Sequence, residues 1–239
     1  MGPVFDVNDV SPVSSFWAAA LELEPTVNEE NWPTLRGDPQ IEFMPVPEPK
    51  TAKNRMHLDF TAGDREAQVA RLVDLGATRL ADHRESLDGE DYEWTVLADT
   101  AGNEFCVIRS LDDDPPDGLS FFFVVYDCED PERASAFWAA ALERKPATLT
   151  FRDTGDGTVR EPEYNVLGEP NLFFTRVPEP RTAKSRLHLD WATTDLAKDV
   201  ARAIGLGATH LWDQRNDWAE WTTLADTEGN EFCVVRTFE

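Results

Sequence analysis

Glu93-Trp-Thr-Val-Leu-Ala-Asp-Thr-Ala-Gly-Asn-Glu-Phe-Cys-Val107 returns further along the chain as Glu220-Trp-Thr-Thr-Leu-Ala-Asp-Thr-Glu-Gly-Asn-Glu-Phe-Cys-Val234. Each copy reads as two apolar strands, Trp94–Ala98 and Glu104–Arg109 in the first, joined across a tight turn. Gly102 supplies the left-handed residue that such a turn needs. Moving outward, Val46-Pro-Glu-Pro-Lys-Thr-Ala-Lys-Asn-Arg-Met-His-Leu-Asp-Phe60 returns as Val177-Pro-Glu-Pro-Arg-Thr-Ala-Lys-Ser-Arg-Leu-His-Leu-Asp-Trp191. Further out, Ser14-Ser-Phe-Trp-Ala-Ala-Ala-Leu-Glu22 returns as Ser135-Ala-Phe-Trp-Ala-Ala-Ala-Leu-Glu143. Three matches in one order establish an internal duplication. The expected organisation is a domain over residues 1–110, a linker over 111–120 and a second domain over 121–239.

The copies drift in register at two places. Residues 26–40 face a longer stretch at 147–171, and residues 84–92 face only 215–219. Such changes accumulate in loops, which tolerate them and carry specificity.

Composition narrows the function. The 239 residues carry a formal charge of −24, a field that repels phosphate backbones and anionic lipid surfaces. Neither a nucleic-acid partner nor a membrane partner is expected. No apolar run reaches membrane-spanning length, and the first residues lack a basic segment followed by a long apolar one, so the expected compartment is the cytoplasm. Cys106 and Cys233 occupy matching places while Cys128 has no cysteine counterpart. An odd number of scattered thiols fits neither a disulfide framework nor a paired-cysteine zinc motif.

The elements alternate within a copy. Phe121-Phe-Phe-Val-Val-Tyr126 is an apolar run of strand length, with Val4–Val7 as its weaker partner. Asp130-Pro131-Glu132 opens a helix, with Asp130 as N-cap and Pro131 at the first helical position. Trp17 and Trp138 fall on apolar helix faces and read as core. The Val-Pro-Glu-Pro stretch is extended, because its prolines prevent helix and remove ladder donors. Then come a His-Leu-Asp strand, a helix with Val69, Leu72, Val73 and Gly76 on one side (Leu196, Val200, Ala203 and Ile204 in the second copy), and the closing hairpin. Each copy reads βαβββ twice.

This ordered set resembles the glyoxalase-like domains of the vicinal oxygen chelate superfamily, and the resemblance covers nearly the whole chain. It implies an α+β fold of tandem paired βαβββ modules, the glyoxalase/bleomycin resistance/dioxygenase-like fold, whose sheets curl into cups that hold small molecules. It also implies pairing of two domains, which other members achieve by dimerising. Here the second copy is placed to supply the partner within one chain, and a further homodimer stays open.

In metal-using members, ligands come from the first, fourth, fifth and eighth strands. His57 and His188 match the fifth-strand position and are the metal candidates, for zinc, nickel, iron or manganese. Counting from the turn glycine to the eighth-strand ligand lands on Cys106 and Cys233. Glu104 and Glu231 lie two residues earlier on the same strand face and are the candidate general bases. The first-strand position falls near Gly2 and Phe123, and the fourth-strand candidates are Glu42 or Met44 and Phe173 or Thr175, so the usual set is incomplete in both copies. Asp59 and Asp190 share a face with the histidines, and Trp94 and Trp221 are placed to stack on a planar ligand; with the cysteines they form the candidate ligand-binding set. A core role competes for each cysteine and tryptophan, and a purely structural pairing competes for each His–Asp couple. The resemblance implies a lyase or isomerase acting on a small oxygenated substrate. The alternative is a metal-free protein of the bleomycin-resistance type that sequesters a drug-like small molecule.

Overall fold

The computed structural model of the chain describes residues 1–28, 31–37, 39–87, 90–147, 164–167, 171–179 and 181–238. Four βαβββ modules follow one another. The first contains β1 (Gly2–Val7), α1 (Val10–Leu21), β2 (Pro25–Val27), β3 (Pro33–Leu35) and β4 (Ile41–Pro45). The second contains β5 (Met56–Ala62), α2 (Arg65–Asp74), β6 (Thr78–Leu87), β7 (Glu90–Ala98) and β8 (Glu104–Arg109). The third contains β9 (Ser120–Cys128), α3 (Pro131–Ala141), β10 (Pro146–Ala147), β11 (Tyr164–Leu167) and β12 (Leu172–Arg176). The fourth contains β13 (Leu187–Ala192), α4 (Leu196–Gly205), β14 (Thr209–Arg215), β15 (Ala219–Ala225) and β16 (Glu231–Thr237). The expected α+β module pattern is the observed one. Most of the 147–171 insertion lies outside the described residues.

Local chemistry sets the helix ends. Asp9, Asp64, Asp130 and Asp195 each stand at an N-cap and accept a backbone N–H from the first turn, with Pro131 just inside α3. Gly102 and Gly229 take φ of 81° and 82° at the two hairpin turns, the left-handed region that favours glycine. The helix faces are narrower than the periodicity suggests. Val69, Leu72 and Ala203 are buried, but Val73 and Ile204 are exposed, since α2 and α4 touch their sheets along a thin stripe.

The modules pair across the copies. One eight-stranded sheet runs β14-β15-β16-β13-β1-β4-β3-β2, and the other runs β10-β11-β12-β9-β5-β8-β7-β6. At each centre two modules meet along an antiparallel seam. Val4 faces His188 where β1 meets β13, and Val125 faces His57 where β5 meets β9. The first sheet is called the His188 sheet and the second the His57 sheet below. Each sheet thus takes one module from each copy, and the second copy supplies the partner within the chain.

The core ties each copy together behind the sheets. Trp17 of α1 is fully buried and meets Phe5 of the His188 sheet as well as Phe60 and Phe105 of the His57 sheet, at centroid distances of 5.4, 5.7 and 4.9 Å. Its Nε1 donates to Asp99 Oδ2 at 3.0 Å, in the β7–β8 turn. The second copy repeats this: Trp138 packs on Tyr126 and Phe232 and donates to Asp226 Oδ2 at 3.1 Å. Arg71 of α2 adds hydrogen bonds to the Ala19 and Ala20 carbonyls near the end of α1, which that end leaves without helical partners. One strip of each copy therefore holds two sheets at once. No helix among the described residues is long and apolar enough to cross a membrane.

Two tests follow from the buried Trp–Asp pairs. Trp17→Phe or Trp138→Phe keeps most of the apolar contact but leaves a buried carboxylate short of a donor, at a cost of about 1–3 kcal/mol in urea unfolding; an unchanged midpoint would remove the pair from its structural role. Burial pushes the Asp226 carboxyl up to about 6, against the hydrogen bonds it accepts from Asn230, Glu228 and Trp138. A carboxyl raised on folding binds its proton more tightly in the native state. Its contribution is complete below the ordinary value of 3.8 and is lost as the pH rises through about 6. The stability of the natural chain minus that of Asp226→Asn should therefore shrink as the pH rises across this window. A flat difference would contradict the assignment.

Candidate functional site

Strand alternation builds the site. Along β5, Met56, Leu58, Phe60 and Ala62 are buried toward the helices, which turns His57, Asp59 and Thr61 to the opposite, open face. Asp59 stands beside Cys106 of β8 in the parallel register, so the strand beside the seam adds a thiol to the same face. The same rule in β13 and β16 places His188, Asp190 and Cys233 together, with Asp190 opposite Cys233. In each group one donor atom from each of the three side chains lies within 4.8 Å of the others.

The two groups share geometry and differ in detail. His57 Nε2 lies 3.3 Å from Asp59 Oδ1, and His188 Nε2 lies 3.4 Å from Asp190 Oδ1. Both imidazoles are largely buried, and neither their Nδ1 atoms nor the two Oδ1 atoms make a hydrogen bond of good geometry among the described residues. Burial opposes a charge on His57, but the Asp59 contact and the Asp59 and Asp127 charges outweigh it and move the imidazole up from its ordinary value. His188 is held further up: burial again opposes, and Asp190 and Cys233 overcome it. Burial, helped by the Asp59 charge, pushes the Cys106 thiol well up. Cys233 rises for the same reasons, with His188 and the Thr223 hydroxyl, 3.5 Å from the sulfur, pulling the other way. All three cysteines are free and buried, so none is poised as an exposed nucleophile.

Around each group lies a paired frame that sequence reading missed. Asp127 of β9 and Asp6 of β1 are buried and ion-paired with Lys53 and Lys184. Each pair joins the two copies. Its signal was available, because Asp6 matches Asp127 and Lys53 matches Lys184 across the repeat. His188 Nδ1 also lies 3.8 Å from Asp6 Oδ1. The buried guanidinium of Arg55 donates from Nη1 to the Glu179 carbonyl at 2.9 Å, and that of Arg186 donates to the Glu48 carbonyl at 2.8 Å. The Glu48 and Glu179 carbonyls are thereby each clasped by the arginine of the other copy.

The remaining candidates fall as follows. Glu104 shares the open face with Cys106, but its carboxylate pairs with Lys50 at 2.9 Å and accepts the Asn54 N–H at 3.2 Å. Glu231 pairs with Arg181 at 2.5 Å. Their cationic partners are thus Lys50 and Arg181, while Arg55 and Arg186 serve the clasp. Trp94 lies on the open face opposite Ile108, stacked on His83 with centroids 5.0 Å apart. Trp221 donates to Gln214 Oε1 at 3.0 Å, and Trp212 donates to the same oxygen at 3.2 Å. Glu42 stands in β4 beside Val4, so the structure places it in the sheet of His188 and not with His57 of its own copy. The physical reason is the crossed pairing: first-module strands extend the sheet built on the other copy's histidine.

The donor chemistry suits a divalent metal. Imidazole nitrogen, thiolate sulfur and carboxylate oxygen are the ligand types that zinc takes, and three protein ligands leave a position for water or substrate. Buried polar atoms without good partners in each group add to that fit.

Comparison with known proteins agrees with the architecture. The fold is similar to that of glyoxalase I from Zea mays, with a TM-score of 0.66 and 15% identity, covering 98% of this chain and 91% of that one. It is also similar to a putative dioxygenase from Bacillus subtilis subsp. subtilis str. 168, with a TM-score of 0.60 and 12% identity, covering 98% of this chain and 83% of that one. At such identities the likeness establishes the fold alone. No curated protein matches the chain in sequence. The family model described as "Glyoxalase-like domain" matches residues 3–108 and 123–235. The chain therefore belongs to the glyoxalase-like domain family and carries that domain twice.

Proposed function

We propose that the chain is a small-molecule enzyme of the glyoxalase-like type, a lyase or isomerase for a small oxygenated substrate, with a divalent metal held at each His–Asp–Cys group. The observation that carries this reading is the twin constellation itself. His57, Asp59 and Cys106 recur as His188, Asp190 and Cys233 at the same strand positions of both sheets. A structural histidine–aspartate pair alone would not require the thiol to stand in reach each time.

The metal, when bound, would polarise a substrate carbonyl or enediolate oxygen and lower the pKa of the neighbouring C–H. The residues supply the rest. His57 and His188 are oriented by the flanking carboxylates, and the buried valines Val125 and Val4 limit water beside them. Asp59 and Asp190 would each give one carboxylate oxygen to the metal and leave the other to receive a proton from the substrate. Trp94 and Trp221, on the same open faces, would be the outer contacts of a substrate. Glu104 and Glu231, the first candidates for proton transfer, are better suited to positioning. Their carboxylates are already engaged by Lys50 and Arg181, and Glu104 holds Lys50 and Asn54 where the chain leaves the first module.

Metal analysis of the purified chain should find about two divalent ions per chain, with His57→Ala and His188→Ala each removing about one. A metal-free protein would overturn the metal assignment and favour the sequestering alternative. Glu104→Gln should lower stability by about 1 kcal/mol through the weakened Lys50 and Asn54 contacts while leaving the metal content unchanged. Metal loss without a change in stability would instead make Glu104 a ligand.

A further inference from the structure

The two open faces share the His–Asp–Cys group, but their seams present different chemistry. In the His57 sheet, Phe123 stands opposite Asp59 and Phe173 stands beside Val125. A bulge between Asp59 and Phe60 adds one residue to β9, so that Phe121 turns inward onto Phe60 and Phe122 becomes the extra residue. Phe122 is 39% exposed. Its ring lies 4.1 Å from that of Phe123, which in turn lies 5.4 Å from Phe173. Three rings thus run in a row beside the His57 group.

The corresponding positions in the His188 sheet are Gly2 opposite Asp190 and Glu42 beside Val4. A Cβ at Gly2 would lie 3.0 Å from the Gln40 carbonyl oxygen, so a side chain there would crowd the backbone. The carboxylates report the difference: Asp59 is 14% exposed beneath its rings, and Asp190 is 34% exposed beside glycine.

Successive rings in the row are tilted by 54° and 41°, so a flat aromatic group meets them through a mixture of face and edge contacts. Such a row next to buried polar atoms that lack good partners selects a ligand apolar at one end and oxygen-bearing at the other. We infer that the His57 face takes a planar aromatic ligand carrying an oxygen donor, with Phe123 and Phe173 as its specificity-determining contacts, and that the His188 face does not. This rests on reading the open faces as small-molecule sites and names the class for one of them.

The fluorescent neutral aryl ketone acedan, titrated into the full chain in metal-free and zinc-loaded forms, tests this directly. Saturable binding of one equivalent per chain with a blue-shifted emission is expected. Phe123→Ala or Phe173→Ala should weaken it about tenfold, whereas Met44→Ala on the His188 face should not change it. Phe123→Leu keeps apolar volume without a π face and should weaken binding about threefold at an unchanged melting temperature. Absence of saturable binding in both forms, or binding indifferent to all three phenylalanine changes, would overturn the inference. Binding to a chain that takes up no zinc would sink the metal assignment and leave this one standing; zinc uptake without acedan binding would do the reverse.

Discussion

The antiparallel seams, β1 against β13 and β5 against β9, are the constraint on which everything else depends. A module presents one strand at its inner edge, and that edge must find hydrogen-bond partners. In this chain the partner always comes from the other copy. Once the seams form, the histidine strands sit at the sheet centres, each with a strand bearing a cysteine on one side and a strand from the other repeat on the other. The lysine–aspartate pairs and the arginine clasps brace the same junctions with charge.

The duplication therefore has two kinds of unity. Each copy is one body through its tryptophan: Trp17 and Trp138 reach both sheets and end on a buried aspartate. Each candidate site is one body through its seam and draws on both copies. A change in either repeat is thus felt in both sites, by side-chain contact in one sheet and by core packing in the other.

Much of this was legible in the residues. The repeat, the βαβββ order, the helix caps, the turn glycines and the facing of His57, Asp59 and Cys106 follow from pattern and alternation. The crossed pairing was not, because strand periodicity tells which face a residue takes but not which strand lies beside it. That is why Glu42 reads as a companion of His57 in sequence and stands near His188 in space. Asp99 and Asp226 stand at the hairpin turns, but their hold on the tryptophan N–H spans more than eighty residues and leaves no local signal. The ion pairs of Glu104 and Glu231 similarly needed the path of the prolyl stretches. Lys53 and Asp127 could have been suspected, since both recur in the repeat, yet nothing in the spacing pairs them.

The seams also order the events of folding. During synthesis the chain emerges from its first module onward, and β1 is made long before its partner β13, which starts at Leu187. The β5–β9 seam closes far sooner, since only residues 63–119 separate its strands. Contacts between distant segments carry the larger loop-closure cost and form late. The His57 sheet is therefore the first of the two that can assemble as the chain is made. Until Leu187 and the residues after it appear, the inner edge of β1 is an unpaired strand edge in need of protection from other chains.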